Sequence, residues 1–89
     1  VGPCAGPERY EVGPEVAAPL VARFGEGVMR GRLADLPACT VRALVDAGVD
    51  PAAIDVAGHC TIGEPERFFS HRRGEDAGRQ CGIVLVQAA

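Results

Sequence analysis

The sequence predicts an α+β chain, with two helices and several strands that complete a mixed sheet begun by polypeptide upstream of Val1. Three observations predict it. Two segments bounded by proline and glycine carry apolar side chains at helical spacing. The chain finishes in a nearly unbroken apolar run, Ile83-Val84-Leu85-Val86, which suits a strand covered on both faces. Too few other elements remain to give that strand its partners and cover, so the core reads as incomplete.

The elements follow in order. Gly2-Pro3-Cys4-Ala5-Gly6-Pro7 holds two Gly-Pro steps, which neither a helix nor a central strand tolerates, and reads as a rigid loop leading into Tyr10-Glu11-Val12. Gly13-Pro14 opens the first helix with proline at its first position, and Val16, Leu20, Val21 and Phe24 line one face up to Gly25. Gly25 to Gly31 reads as a loop. Asp35 is the predicted N-cap of the second helix, with Pro37 in its first turn, Leu36, Cys39, Ala43, Leu44 and Ala47 on its apolar side and Gly48 as its stop. Asp50-Pro51 caps one short turn. Ile54, Val56 and Cys60 to Ile62 then read as a strand or two, Glu64 to Phe69 as a helical turn, and Ser70 to Gly74 as a polar loop.

A chain of 89 residues makes one domain or part of one. A chain of this size buries only about 60% of its unfolded surface, so its unaided folding is expected to be poor and its unfolding transition broad. With 47% hydrophobic and 24% charged residues it lacks the signature of disorder. Net charge is −3 and all nine basic residues are arginine, so there is no general pull toward nucleic acid or anionic lipid. No apolar run approaches the roughly 20 residues of a membrane helix, and no signal segment opens the chain. These features predict a cytoplasmic protein without nucleic-acid or membrane partners, and four free cysteines that act as small core hydrophobes.

Candidate chemistry is sparse. Zinc sites place ligands in pairs two to four residues apart, and no such pair occurs, while adjacent His59 and Cys60 point in different directions on a strand. A nucleophilic Cys60 served by His71 is one possibility, weighed against a buried thiol and a solvated imidazole. Arg72-Arg73, with Arg79 beyond and Phe68 and Phe69 before, sets forked donors suited to phosphate or carboxylate. The plainer alternative is surface pairing of those arginines with Glu64, Glu66, Glu75 or Asp76. The Gly2 to Pro7 turn lacks the Gly-Lys-Ser/Thr ending of a phosphate-binding loop.

The order of these motifs resembles the laccase-domain family, also called YfiH-like or multicopper polyphenol oxidase. The likeness runs through the Gly-Pro turn into Tyr10-Glu11-Val12, Asp35-Leu36 with Leu44 and Ala47-Gly48-Val49, and Cys60-Thr61. Its most specific part is Phe68-Phe69-Ser70-His71-Arg72-Arg73 followed by Gly78-Arg79. The chain corresponds to the C-terminal portion of one such domain, residues 1–89, and departs from the pattern at Thr40, at Ile62 and in the shortened stretch from Gly25 to Leu33. The resemblance implies a partial YfiH-like fold of the cysteine-hydrolase type. It implies phosphorolysis of purine nucleosides (adenosine, inosine or methylthioadenosine), with nucleoside and phosphate as substrates. A second activity in the family is an amidase that edits peptidoglycan precursors, and a third reading is a truncated, non-catalytic product that binds its missing half. Zinc, with copper as the alternative, is implied for the full-length family on ligands in the absent half, so no catalytic or metal-ligating role falls on this chain and no cofactor is expected on it alone. The resemblance and the electrostatics together make Phe69, Ser70, Arg72 and Arg73 the expected substrate-binding residues, the two arginines holding an anionic group.

Overall fold

The computed structural model describes residues 1–72, 74 and 78–87. Its helices are α1, Pro14–Phe24, and α2, Leu36–Asp46. Between them lie a 3-10 turn at Glu26–Val28 and a hairpin of two short strands, β1 (Met29–Arg30) and β2 (Leu33–Ala34). A second 3-10 turn, Pro51–Ala53, follows α2.

Local chemistry explains these boundaries. Pro14 begins α1, which runs through Pro19 on its exposed side and stops at Gly25, where φ of +88° suits only glycine. The predicted face of Val16, Leu20, Val21 and Phe24 is half-buried against the 26–28 turn and α2. The hairpin turns on Gly31-Arg32, with positive φ only at Gly31, the pattern of a type II′ turn. Asp35 caps α2 as expected, its Oδ1 accepting the Ala38 N–H at 3.0 Å. Cys39 is buried on the inner side of α2, with Leu36, Ala43 and Leu44 half-buried beside it, whereas Ala47, the C-cap, is exposed.

Two backbone pairings tie distant segments together. The Val12 N–H donates to the Arg32 carbonyl and the Ala34 N–H to the Tyr10 carbonyl, both at 2.9 Å, which adds Tyr10 to Val12 as a third member beside β2. Cys4 makes an isolated parallel bridge with Cys60: its N–H donates to the His59 carbonyl and its carbonyl accepts the Thr61 N–H. The expected strands at Ile54 to Val56 and Cys60 to Ile62 reduce to this bridge. The helical turn expected after Glu64 is present, with the Arg67 and Phe68 N–H groups both bonded to the Glu64 carbonyl.

The core is thin. Val12, Val28, Ala34 and Cys39 are its buried apolar residues, and among the described residues no large side chain is fully buried. The radius of gyration, 14.4 Å, exceeds the about 12 Å expected of a compact chain this long. The expected C-terminal strand does not form: Ile83, Val84, Leu85 and Val86 are 86–93% exposed and unpaired in any sheet. An apolar strand needs a neighbouring strand to satisfy its backbone, and the described residues offer it none. The sheet that forms is a two-stranded antiparallel one with flanking bridges.

Candidate functional site

A concavity of about 1330 Å³ opens between the N-terminus of α1, the hairpin and the 62–65 turn. Arg9, Arg32 and Arg72 line it, with Glu11 the one acidic residue of its walls among the described residues. Arg72 is held from two directions: its Nη1 donates to the Glu11 carbonyl at 2.8 Å, and its guanidinium lies over the Tyr10 ring, 4.9 Å from the centroid. Stacking and a backbone acceptor engage the plane and one edge of the fork, which leaves further N–H donors directed elsewhere. Arg32 approaches Glu11 at 3.8 Å on the open surface, a loose pair. Arg9 lies across Gly63, its Nε only 3.0 Å from where a Cβ would stand. Among the described residues of the basin, three guanidinium groups stand against one carboxylate, an excess of forked donors of the kind that suits an anion.

The four sequence-predicted residues distribute unevenly. Arg72 reaches the basin, anchored there by the Tyr10 ring and the Glu11 carbonyl. Arg73 lies outside the described residues. Ser70 is buried. Phe69 is 50% exposed, and its backbone is clasped by Gln80, whose Oε1 accepts the Phe69 N–H at 2.7 Å and whose Nε2 donates to the Phe69 carbonyl at 2.8 Å. Its ring covers Gly78, where a Cβ would collide with it. Neither Phe69 nor Ser70 lines the basin. Sequence reasoning missed Arg9, Arg32 and Tyr10 because isolated arginines in a loop and a hairpin carry no spacing signal.

Beside the basin, Glu64 organises a polar knot. Both of its carboxylate oxygens stand 3.1 Å from His59 Nδ1, a contact that places the proton on that nitrogen, since a carboxylate only accepts. Glu64 also accepts the Cys60 N–H at 3.1 Å and pairs with Arg67 at 3.4 Å. Partial burial would raise its pKa, but the bonds from His59 and the Cys60 N–H, with the charges of His59 and Arg67, hold the carboxyl below its ordinary range. Cys60 Sγ accepts N–H groups from Gly6 at 3.2 Å and Gly63 at 3.4 Å, while His71 sits 3.5 Å from Arg79, so the alternative of a Cys60–His71 pair gives way to other contacts. Burial, the Cys60 sulfur and Asp35 push the Cys4 thiol up. Burial and Asp35 do the same to Cys39. All four cysteines are free thiols. Among the described residues no three His, Cys, Asp or Glu side chains converge to hold a metal ion, and no helix is long and apolar enough to cross a membrane.

Comparison with known proteins places this arrangement in context. Residues 1–87 match the family model described as multi-copper polyphenol oxidoreductase laccase. The chain is 40% identical over 93 residues to a purine nucleoside phosphorylase of Xylella fastidiosa, covering 97% of this chain and 36% of that protein. A purine nucleoside phosphorylase of Pseudomonas aeruginosa is 34% identical over 95 residues, covering 98% and 38%. The purine nucleoside phosphorylase YfiH of Escherichia coli is 32% identical over 92 residues, covering 97% and 37%. The chain thus spans little more than one third of the length of the curated relatives it matches. No solved structure matches it. A family model that fits almost every residue, together with relatives aligned from end to end of this segment, makes the chain a member of the multi-copper polyphenol oxidoreductase laccase family.

Proposed function

We propose that these residues form the anion-holding wall of a purine nucleoside phosphorylase site. Polypeptide outside this chain would complete the domain as a YfiH-like fold. The observation that carries the reading is Arg72, fixed by Tyr10 and the Glu11 carbonyl at the edge of a basin it shares with Arg9 and Arg32. Phosphorolysis needs phosphate held beside the glycosidic carbon while negative charge redistributes, and preorganised guanidinium donors stabilise such an anion without reorganising. The names of the relatives favour nucleoside and phosphate as the substrates.

Within this reading Arg72, with Arg73 next to it, engages the phosphate. Phe69 and Ser70 position the segment that carries them. Zinc, the metal implied by the family, finds no fitting set of ligands among the described residues, so it is assigned to the remaining two thirds of the domain and no step is built on it here. The test is the replacement equivalent to Arg72→Ala in a full-length relative. Loss of a charge-assisted bond of about 1.5–3 kcal/mol should raise KM for phosphate about tenfold or more. An unchanged KM for phosphate counts against the assignment, and turnover of a muramyl peptide in place of nucleoside would transfer the site to amide hydrolysis.

A further inference from the structure

We propose that Cys4 and Cys60 form a redox-active dithiol, a site that low-molecular-weight disulfides such as oxidised glutathione convert reversibly into a Cys4–Cys60 disulfide. The two residues are direct partners in a parallel bridge, flanked by the bonds from Cys4 N–H to the His59 carbonyl and from Thr61 N–H to the Cys4 carbonyl. Paired strands run about 4.8 Å apart, and directly paired residues project their side chains from the same face. That spacing falls inside the roughly 4.4–6.8 Å Cα window that a disulfide spans.

Access is the second requirement. Both thiols are half-buried and line one cavity of about 330 Å³, bounded also by Arg9, His59 and Asp35. Arg9 gives the carboxylates of glutathione a cation there. Cys39, in contrast, is buried, and Cys81 lies in the exposed tail.

The chemistry closes without any other reagent. Cys60, whose sulfur is held as an acceptor by the Gly6 and Gly63 N–H groups, attacks one sulfur of oxidised glutathione as its thiolate, forms a mixed disulfide and expels one glutathione thiolate. Cys4, whose thiol burial keeps protonated longer, then loses its proton and attacks the Cys60 sulfur, which expels the second glutathione. The two cysteines are oxidised by two electrons, one glutathione disulfide is reduced to two thiols, and the two cysteine protons end on those thiols.

The test is to incubate the native chain with oxidised glutathione, block remaining thiols with iodoacetamide and map the peptides by mass spectrometry. The expected result is a Cys4–Cys60 link, 2 Da lighter than the two free cysteines, with Cys39 recovered carbamidomethylated. Cys4→Ser should instead stop at a glutathione adduct on Cys60. A parallel reaction in 6 M guanidinium chloride, where the bridge is absent, should give a mixture of pairings. The proposal is overturned if native Cys4 and Cys60 both stay alkylatable while Cys81 acquires glutathione, or if the native and denatured samples give the same mixture.

Discussion

Asp35 joins the hairpin to α2, and replacing it tests whether local capping or tertiary packing sets the start of that helix. Its own N–H donates to the Val28 carbonyl at 2.8 Å and its carbonyl accepts the Cys39 N–H at 3.1 Å, bonds that any residue could make. The side chain adds two more. Oδ1 accepts the Ala38 N–H at 3.0 Å, and Oδ2 receives Arg30 Nη2 at 3.4 Å. An N-cap carboxylate is worth about 1 kcal/mol, within a range of roughly 0.5–2. The Arg30 side chain is 60% exposed, so solvent screening holds that pair to a few tenths of a kcal/mol. Asp35→Ala should therefore cost about 1–2 kcal/mol of local stability. Native-state hydrogen exchange at the Ala38 and Cys39 amides should speed up roughly 5- to 30-fold, while Asp35→Asn, which keeps the acceptor, should change exchange less than about threefold. Because the Asp35 charge also raises the Cys4 and Cys39 thiols, both replacements should make those cysteines easier to alkylate below pH 9. Equal exchange rates for Asp35→Ala and Asp35→Asn would refute the capping argument and assign the helix start to packing.

Two further outcomes follow from the geometry. Ile83→Ser with Leu85→Ser removes side chains that are 86% and 89% exposed, so the urea transition of this chain should move by less than about 0.5 kcal/mol and stay broad, as a core this thin requires; a sharp transition, or a loss above 1 kcal/mol, contradicts the packing described here. The depressed Glu64 carboxyl stabilises the folded turn at every pH above the ordinary carboxylate range. That contribution declines as pH falls through the lowered value of the folded state and vanishes below both. The backbone amide resonances of the 59–68 turn should therefore shift together as pH falls below the ordinary carboxylate range, and Glu64→Gln should abolish that step; persistence of the step in the variant would place its origin elsewhere.

Much of the local structure was legible in the residues. Gly13-Pro14 and Gly25 bracket α1, Asp35 caps α2, and the half-buried stripe of Val16, Leu20, Val21 and Phe24 lies where helical spacing put it. These features depend on contacts within a few residues, where φ restriction, capping and side-chain periodicity act directly. The Gly31-Arg32 hairpin was less legible, because strands of two residues have no alternation to read. The composition of the terminal run suits a covered strand, yet composition records what a segment would bury and not whether a partner is present.

The candidate site divides along the same line. Arg72 was visible as half of an Arg-Arg step after two aromatic residues, but its anchors, Tyr10 and the Glu11 carbonyl, come from 61 or more positions away. Arg9, Arg32 and the Cys4–Cys60 pair likewise converge only through the antiparallel bridge of Glu11 to Leu33 and the parallel bridge of Cys4 to Cys60. By itself the sequence determined family membership, both helices and the acid–base character of the surface, since each is written in short-range spacing and composition. Only the tertiary structure decided which guanidinium groups share a basin and which two cysteines pair across a backbone bridge. Backbone hydrogen bonds between remote segments set those distances, and such pairings leave no trace in local residue order.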